Sequence, residues 1–373
     1  MVNATTRFLG TGLAAILAAA CLLAPSASEA KVKVDRSGAA AQATSTLDFL
    51  RHPDDAKYYT ESWTTILQAE TGHILYVNYM YTNIGVTSGR AAVSVNLTMP
   101  GESEAKYFGW EYDTDEYKEN FDSATIQIGP HQLSMQGRTA RYKVEASEFR
   151  MNVTMKGWTN GVKFHDGKIC IDEGCDEWVT SFFHVPRGDF EGEISFGGQR
   201  LRVKGQGYLD HMINNQMSSK WSSHWWTTRY YAPDHTVAFW AFKVRPDRGG
   251  EKVVRMVVTD REKVLAVTDA VTLKTDTPVR DPKPKGHTYD TVYNLEVKRP
   301  GLTLAGTLTA KGLHDRDGVL ERLPWAQRTI AQAVAGNPVI YRSRGEANLT
   351  LTKEGEPPVV LTEGTPLMEA IVN

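Results

Sequence analysis

Two adjacent residues, Asp210 and His211, carry the side chains best suited to acid–base chemistry in this sequence. A protonated histidine beside an alkene can act as a general acid in hydration or isomerisation, and an aspartate can fix its tautomer. Neighbouring residues of a strand point to opposite faces, so only one of the two can face a given cavity. We expect His211 to point inward and Asp210 to anchor a turn through backbone donors. The preceding Gly205 and Gly207 would let the backbone approach a neighbour closely.

Aromatic residues are concentrated just after this pair. Four of the nine tryptophans fall between positions 221 and 240. Such a cluster fits the wall of a pocket for a large, mostly hydrocarbon ligand, and it equally fits a packed core between two domains. Packing, ligand binding and catalysis by Asp210 and His211 therefore stay open as three alternatives. If the cluster binds a ligand in a cavity shared with that pair, its members are Tyr208, Trp221, His224, Trp225, Trp226, Tyr230 and Trp240.

Metal coordination is a further chemistry to consider. Side chains of the usual ligand types occur at Asp210, His211, His224, Asp234 and His235. Adjacent aspartate and histidine residues on a strand point apart, however, so such a pair cannot share one ion. The sequence also lacks the GxSxG, HExxH, phosphate-loop and dinucleotide-binding motifs. We therefore expect no metal site and no cofactor.

Apolar and polar side chains alternate along many short segments of the chain. The alternation is clearest at residues 91–99, 149–155 and 302–309. A period of two with one apolar face is typical of an antiparallel strand that covers a core on one side. Gly, Pro, Asp and Asn separate the segments, which favours a sandwich or barrel over alternating strand–helix units. Short helices are predicted at residues 47–51 and 324–335, the second between a first-turn Pro and a closing Gly.

The two halves of the chain resemble each other. The segment that begins at His73 is echoed at His235, and the segment that begins at Tyr142 is echoed at Tyr293. The spacing between matched positions shrinks along the chain, as insertions and deletions would cause. We therefore expect a duplicated β domain, the alternative being chance similarity between alternating strands, which are alike in composition. The boundary is placed near residues 205–220, which gives an N-terminal domain at 55–205 and a C-terminal domain at 206–373.

Residues 1–30 have the pattern of a secretory signal peptide. One charged residue, Arg7, precedes a long apolar stretch, and small residues lead to a cleavage position after Ala30. We expect a mature protein in the periplasm or outside the cell, with residues 31–54 as a disordered lead-in followed by the short helix. A retained membrane anchor, or lipoprotein processing at Cys21, are the alternatives.

Two cysteines are left once the signal peptide is removed. They are Cys170 and Cys175, in the segment CIDEGC. In an oxidising compartment, a lone pair at this spacing favours a disulfide at the tip of a hairpin. A redox pair or a zinc site is not supported, since CxxC spacing and a following histidine at zinc-site spacing are both absent. We therefore expect a structural disulfide that fixes local shape.

The composition limits the classes of partner. The chain has 42 Lys+Arg against 44 Asp+Glu, a formal net charge of −2, which excludes a strongly basic nucleic-acid-binding surface. The hydrophobic fraction of 41% and the charged fraction of 23% are ordinary for a globular protein and too polar for a multi-span membrane protein. We expect a hydrophobic small molecule as partner and no nucleic acid. A transient contact with a membrane surface and the oligomeric state are left open.

Two stretches of the sequence resemble known families. ESWTTILQAETGHILYVNYMYTNIG, at residues 61–85, is similar to the beginning of the first domain in the fungal survival-factor family of tandem lipocalins. GQGYLDHMINN, at residues 205–215, resembles a Gly-x-Gly-Tyr-x-Asp-His signature of the hydroxyneurosporene synthase (carotenoid hydratase) and AttH-like proteins. These families belong to the calycin type. The resemblance therefore implies an all-β fold of two lipocalin-like antiparallel β-barrels in tandem over most of residues 55–373.

The resemblance implies a range of functions, because these families include lipid carriers, hydratases and cyclases. This chain departs from the signature directly after His211, at Met212 and Ile213. We therefore expect first an exported, non-enzymatic protein that binds or carries a lipid or isoprenoid-like ligand. One alternative is a hydratase, isomerase or cyclase that acts on an apolar polyene or terpenoid, with Asp210 and His211 as acid and base. Another is a structural envelope protein whose barrels are filled by side chains.

Overall fold

The protein is almost entirely antiparallel strand. The structure, a computed structural model, describes residues 41–84, 89–283, 286–322, 328, 332 and 336–373. Helical segments are short, namely α1 (Thr46–Phe49), α2 (Ser218–Trp221) and two 3-10 turns at Thr114–Glu116 and Pro246–Arg248. The prediction of an all-β fold is therefore confirmed. The predicted signal peptide and most of the helix predicted at 324–335 lie outside the described residues.

The strands form two sheets, one from each half of the chain. The first sheet contains β1 (Gln42–Ala43), β2 (Thr60–Ala69), β3 (Ile74–Thr82), β4 (Arg90–Thr98), β5 (Lys106–Tyr112), β6 (Tyr117–Asn120), β7 (Thr125–Ile128), β8 (His131–Gln136), β9 (Thr139–Glu145), β10 (Phe149–Gly157), β11 (Val162–Cys170), β12 (Trp178–Phe196) and β13 (Gln199–Asn214).

The second sheet contains the remaining strands. They are β14 (Ser222–Tyr231), β15 (His235–Val244), β16 (Lys252–Asp260), β17 (Val264–Thr268), β18 (Val271–Arg280), β19 (Thr288–Arg299), β20 (Leu302–Gly318), β21 (Val339–Lys353), β22 (Val359–Leu361) and β23 (Leu367–Val372). Among the described residues, no helix is long and apolar enough to cross a membrane.

Both sheets follow the same strand path. The first runs β5-β4-β3-β2-β13-β12-β10-β9-β8 before ending in β7 and β6, and the second runs β17-β16-β15-β14-β23-β21-β20-β19-β18. In each path the final strand of the half pairs beside its first long strand, which curls the sheet towards a barrel. The matching topology agrees with the duplication that the sequence indicates. The two sheets form lipocalin-like barrels in tandem.

The chain passes from the first sheet to the second between Asn214 and Ser222. Strand β13 stays paired with β2 from Gly205 to Asn214. It therefore continues beyond a boundary at 205/206, and the whole Gly-x-Gly-Tyr-x-Asp-His segment belongs to the first barrel.

Apolar residues fill both barrels and also the space between them. On β4, the alternating Ala91, Val93, Val95 and Leu97 are fully buried in the first barrel, as the sequence alternation predicts. The second barrel has its own core. A third cluster combines residues of both sheets, such as Ile66 with Leu367, and holds the barrels together.

A short segment before β2 is held against the first barrel. Ser45 caps α1 and accepts a hydrogen bond from the backbone N–H of Asp48, whose carboxylate accepts one from the backbone of Ser45. Helix α1 ends at Phe49, two residues before the predicted end at 51. The Trp63 indole N–H donates to the backbone carbonyl of Phe49 at 2.7 Å.

The predicted disulfide is confirmed. Cys170 and Cys175 are bonded, with Cα atoms 4.6 Å apart. They lie at the turn between β11 and β12, so the bond closes the tip of a hairpin, as the sequence spacing predicts.

Candidate functional site

Asp210 and His211 point to opposite faces of the first sheet. On β13, Leu209 and His211 face the interior of the first barrel, where His211 is paired in register with Trp63 of β2. Tyr208 and Asp210 face the second sheet, and Tyr208 packs in the cluster between the barrels. The strand alternation that the sequence predicts therefore separates the pair completely.

His211 is enclosed by protein groups on every side. Its ring stacks on Trp63 with 4.4 Å between ring centres and is fully buried. Its Nδ1 lies 2.8 Å from the backbone carbonyl oxygen of Asp48, and its Nε2 lies 2.7 Å from Oε1 of Glu61. Because a carbonyl only accepts hydrogen bonds, Nδ1 donates its hydrogen to Asp48.

Glu61 is the centre of a buried polar cluster. Burial alone would raise the pKa of its carboxyl, but hydrogen bonds from His211, His52 and Tyr59 together lower that pKa to about 2. The backbone N–H of His52 donates to Glu61 at 3.0 Å, and the Tyr59 hydroxyl donates to Oε2. With both carboxylate oxygens and both His211 nitrogens engaged, neither group is free to exchange a proton with a substrate.

Asp210 meets side chains rather than the backbone donors that the sequence suggested. The Tyr208 hydroxyl donates to Oδ2 at 2.7 Å, and the Arg229 guanidinium lies 3.3 Å from the same oxygen. Burial raises the pKa of Asp210, although Arg229 and Tyr208 act in the opposite direction. The expected turn anchor is therefore wrong, since Asp210 lies within a long strand and faces another sheet.

Arg229 connects Asp210 to a buried ionic network. Its Nη1 donates to Oε2 of Glu369 at 2.6 Å, and Thr227 donates to the same oxygen at 2.6 Å. Arg342 donates to the other oxygen, Oε1, at 2.9 Å. Burial opposes ionisation of Glu369, but the two arginines more than compensate and lower its pKa to about 2. Glu369 thus holds a charge between two guanidinium groups.

Tyrosine rings of the first barrel cover this network. The Arg229 guanidinium lies 4.4 Å from the ring centre of Tyr208, and that of Arg342 lies 4.2 Å from the ring centre of Tyr76. Arg342 also pairs with Asp315. The ions come mainly from the second sheet and the covering rings from the first, so the network fixes how the barrels pack.

Three of the four clustered tryptophans lie between the barrels. Trp221, Trp225 and Trp240 belong to the same apolar cluster as Tyr208 and are buried. The ring centres of Trp221 and Trp225 are 5.2 Å apart, and those of Trp225 and Trp240 are 5.9 Å apart. These contacts correspond to the packing alternative of the sequence analysis.

The other predicted ligand-binding residues belong to the second barrel. Trp226 and Tyr230 lie in its core. His224 is half-buried and stacks on Trp226 with 5.7 Å between ring centres, while the Lys252 ammonium lies 4.5 Å from the Trp226 ring centre. Because these side chains face a different core from Asp210 and His211, the described residues do not form the single shared cavity that the sequence suggested.

The Gly-x-Gly segment makes room for protein rather than for a ligand. A Cβ atom on Gly205 would lie 2.1 Å from the backbone carbonyl oxygen of Gln68. One on Gly207 would lie 2.5 Å from Sδ of Met155 and 2.8 Å from Leu67. The glycines therefore allow β13 to pack closely against β2 and the core of the first barrel.

An open groove lies at one end of the first barrel, where the β9–β10 and β12–β13 hairpins turn. Its volume is about 960 Å³. Of the apolar residues that form its base, Phe108 is partly exposed, whereas Val144, Met151 and Phe196 are almost fully buried in the core of the first barrel. Charged side chains surround this apolar base, namely Lys106, Lys143, Glu145, Glu148, Arg150, Glu193 and Arg200.

Several of these residues escape prediction from sequence. Glu61 and His52 complete the His211 cluster, and Glu369 and Arg342 complete the ionic network. Of these four, only Glu61 lies in a stretch that carries a family resemblance, and that resemblance assigns it no role. One signal for Glu61 exists, because it shares the inward, mostly apolar face of β2 with Trp63. A glutamate at such a position requires a buried partner.

The comparisons with known proteins agree with this architecture. The model of the Svf1 family matches residues 27–372. A search of curated proteins finds no significant match. Among solved structures, CghA with Sch210972 has 12% identity and a TM-score of 0.60, with 85% of this chain and 89% of that chain covered.

Two further solved structures have the same fold. An AttH-like protein from Nitrosomonas europaea has 14% identity and a TM-score of 0.57, with 93% of this chain and 99% of that chain covered. Kievitone hydratase from Nectria haematococca has 11% identity and a TM-score of 0.50, with 86% and 90% covered. At these identities the likeness shows the lipocalin-like fold alone.

Proposed function

This chain belongs to the Svf1 family, and from that premise we propose that it binds and carries an amphiphilic small molecule of lipid or isoprenoid type. The observation that carries the proposal is the groove at the end of the first barrel. Its volume of about 960 Å³ matches the size of small-molecule sites in general. Its apolar base suits a hydrocarbon chain, and the charged rim suits a polar headgroup.

The rim supports an amphiphile better than a pure hydrocarbon. Lys143 pairs with Glu145 at 2.6 Å, and Arg200 pairs with Glu193, so charges of both signs stand beside the apolar base. A polar headgroup could bind one member of such a pair at little cost in free energy, because an exposed ion pair contributes about 1 kcal/mol or less to stability. The hydrocarbon part gains its binding free energy from contact with apolar surface at the base, above all with Phe108, which is partly exposed.

Carriage is favoured over the alternative of a hydratase, isomerase or cyclase. That alternative needs Asp210 and His211 to reach a substrate as acid and base. Both His211 nitrogens are occupied by Asp48 and Glu61, and Asp210 is held by Tyr208 and Arg229. Two of the structural neighbours are named for a hydratase and for a complex with Sch210972, but their likeness to this chain extends to the fold alone.

Export is part of the proposal. The Cys170–Cys175 disulfide is compatible with a periplasmic or extracellular location. We infer that the signal-peptide pattern of residues 1–30 directs the chain there, with cleavage near Ala30. Sequencing the amino terminus of exported protein tests this, since retention of residues 1–20 would contradict it and a diacylated Cys21 would assign the chain to the lipoproteins.

Native mass spectrometry with lipid extraction tests carriage itself. Protein purified from its own compartment is expected to bring down one extractable hydrophobic molecule per chain, and the delipidated protein is expected to rebind it. Denatured and refolded protein serves as the control for adventitious detergent or lipid. A protein that neither retains nor rebinds any amphiphile would contradict the proposal and favour the alternative of a structural protein with filled barrels.

A further inference from the structure

Three ligand-type atoms converge where the segment before β2 meets strands β2 and β13. Nε2 of His211, a carboxylate oxygen of Glu61 and a ring nitrogen of His52 all lie within 4.8 Å of one another. Nε2 of His211 is 2.7 Å from Oε1 of Glu61, and Nδ1 of His52 is 3.4 Å from that oxygen. Ligand atoms around a tetrahedral zinc ion lie about 3.3 Å apart, since each is about 2.0–2.2 Å from the metal. Small side-chain shifts would bring these atoms into that geometry.

The hydrogen bond to Asp48 prepares His211 for coordination. Because Nδ1 donates to a backbone carbonyl at 2.8 Å, Nε2 is the ring nitrogen that faces the Glu61 carboxylate. In the metal-free protein a proton lies between Nε2 and Oε1, which are 2.7 Å apart, and a metal ion would take the place of that proton. A backbone carbonyl that receives the second N–H is also the usual partner of a metal-binding histidine.

Neighbouring groups hold the Glu61 carboxylate in place and leave one buried polar atom beside the cluster. The Tyr59 hydroxyl and the His52 backbone N–H donate to the Glu61 carboxylate. His184 is buried beside the cluster, with its ring 5.8 Å from that of His211. Among the described residues, Nε2 of His184 has no hydrogen-bond partner. A buried imidazole nitrogen without a partner indicates that a polar occupant belongs nearby.

Access to the cluster is from one side. Glu61 and His211 side chains are fully buried, whereas the His52 side chain is 36% exposed. An ion could therefore enter past His52. We propose that His52, Glu61 and His211 bind a divalent transition-metal ion, zinc first, and so tie the segment before β2 to strands β2 and β13. This proposal departs from the expectation of no metal site, in which the ligand types weighed lay between Asp210 and His235.

Isothermal titration with Zn²⁺ tests this directly. Tag-free exported protein, from which the proposed cleavage near Ala30 has removed Cys21, is first treated with a chelator and then titrated at pH 7.5, with metal content checked by mass spectrometry. One ion per chain is expected. Co²⁺ should produce visible absorption bands of a nitrogen- and oxygen-ligated ion without a thiolate charge-transfer band, since both cysteines of the described structure are in the disulfide.

The decisive variant is His52→Ala, because His52 is partly exposed and its removal leaves the His211–Glu61 contact intact. We expect it to weaken Zn²⁺ binding at least about tenfold. His235→Ala, which removes a half-buried histidine from the second barrel, is the matched control and should bind as the parent does. Unchanged affinity and stoichiometry in His52→Ala, or no zinc binding by the parent protein, would overturn the proposal. Glu61→Gln provides a second ligand variant with the same expected loss.

Discussion

Asp210 and His211 are consecutive on β13, yet their nearest partners lie in different parts of the molecule. His211 stacks on Trp63 inside the first barrel, and Asp210 contacts Arg229 of the second sheet. The pair therefore acts as two separate anchors. His211 fixes the segment before β2 to the first barrel, and Asp210 joins the network that fixes one barrel to the other.

Removal of His211 is expected to destabilise the metal-free protein strongly. In His211→Ala, Glu61 loses its 2.7 Å partner while it stays buried, and loss of one member of a buried pair costs about 3–5 kcal/mol. Urea unfolding in the presence of a chelator measures this. The control His235→Ala should lose less than about 1 kcal/mol. A similarly small loss in His211→Ala would show that the contact with Glu61 contributes little to folding.

Glu369→Gln is expected to weaken the packing of the two barrels at neutral pH. The carboxylate accepts hydrogen bonds from Arg229, Arg342 and Thr227, and a neutral amide leaves two buried guanidinium groups without their shared counter-charge. We expect a loss of about 3 kcal/mol or more in the free energy of unfolding. Asp210→Asn should cost less, because Asp210 contacts only one arginine. Equal losses in the two variants would contradict the central place of Glu369.

The same glutamate predicts a pH dependence of stability. The folded-state pKa of Glu369 is about 2, below its usual value of about 4.5, so the unfolded chain binds its proton first as the pH falls. Its contribution is fully present above about pH 5 and is lost progressively as the pH falls through about 2. Unfolding measured from pH 7 to pH 2 should show a shallower acid decline in Glu369→Gln than in the parent. Parallel curves would contradict this assignment.

Loss of the disulfide should have a local effect. The disulfide closes a loop of only a few residues. Cys170→Ser is therefore expected to lower the free energy of global unfolding by no more than about 2 kcal/mol. Hydrogen exchange should increase at the ends of β11 and β12 and stay unchanged in the second barrel. A cooperative loss of protection throughout the chain would show that this hairpin stabilises far more than its own tip.

The fold is largely predictable from the sequence, and the sites are predictable only in part. The alternation of apolar and polar residues at 91–99 and 302–309 identifies strands, because a strand with one buried face needs only a period of two in its own sequence. The His52–Glu61–His211 cluster is different, since it depends on the pairing of β13 with β2 across about 150 residues. Nothing local in the sequence specifies that register. The clustering of tryptophans in the sequence likewise predicts that their rings are buried. It does not predict in which of the three apolar cores each ring lies.

Binding of an amphiphile at the end of the first barrel is tested most directly by titration with a fluorescent fatty acid. The parent protein is compared with Phe108→Glu, which places a carboxylate over the apolar base, and with Tyr107→Glu, which places it on the neighbouring, 45% exposed position of β5. We predict that Phe108→Glu raises the dissociation constant for the fatty acid at least about tenfold. Tyr107→Glu should change it less than about twofold. Equal binding by the parent protein and Phe108→Glu, with both folded by circular dichroism, would contradict the assignment of this groove as the ligand site.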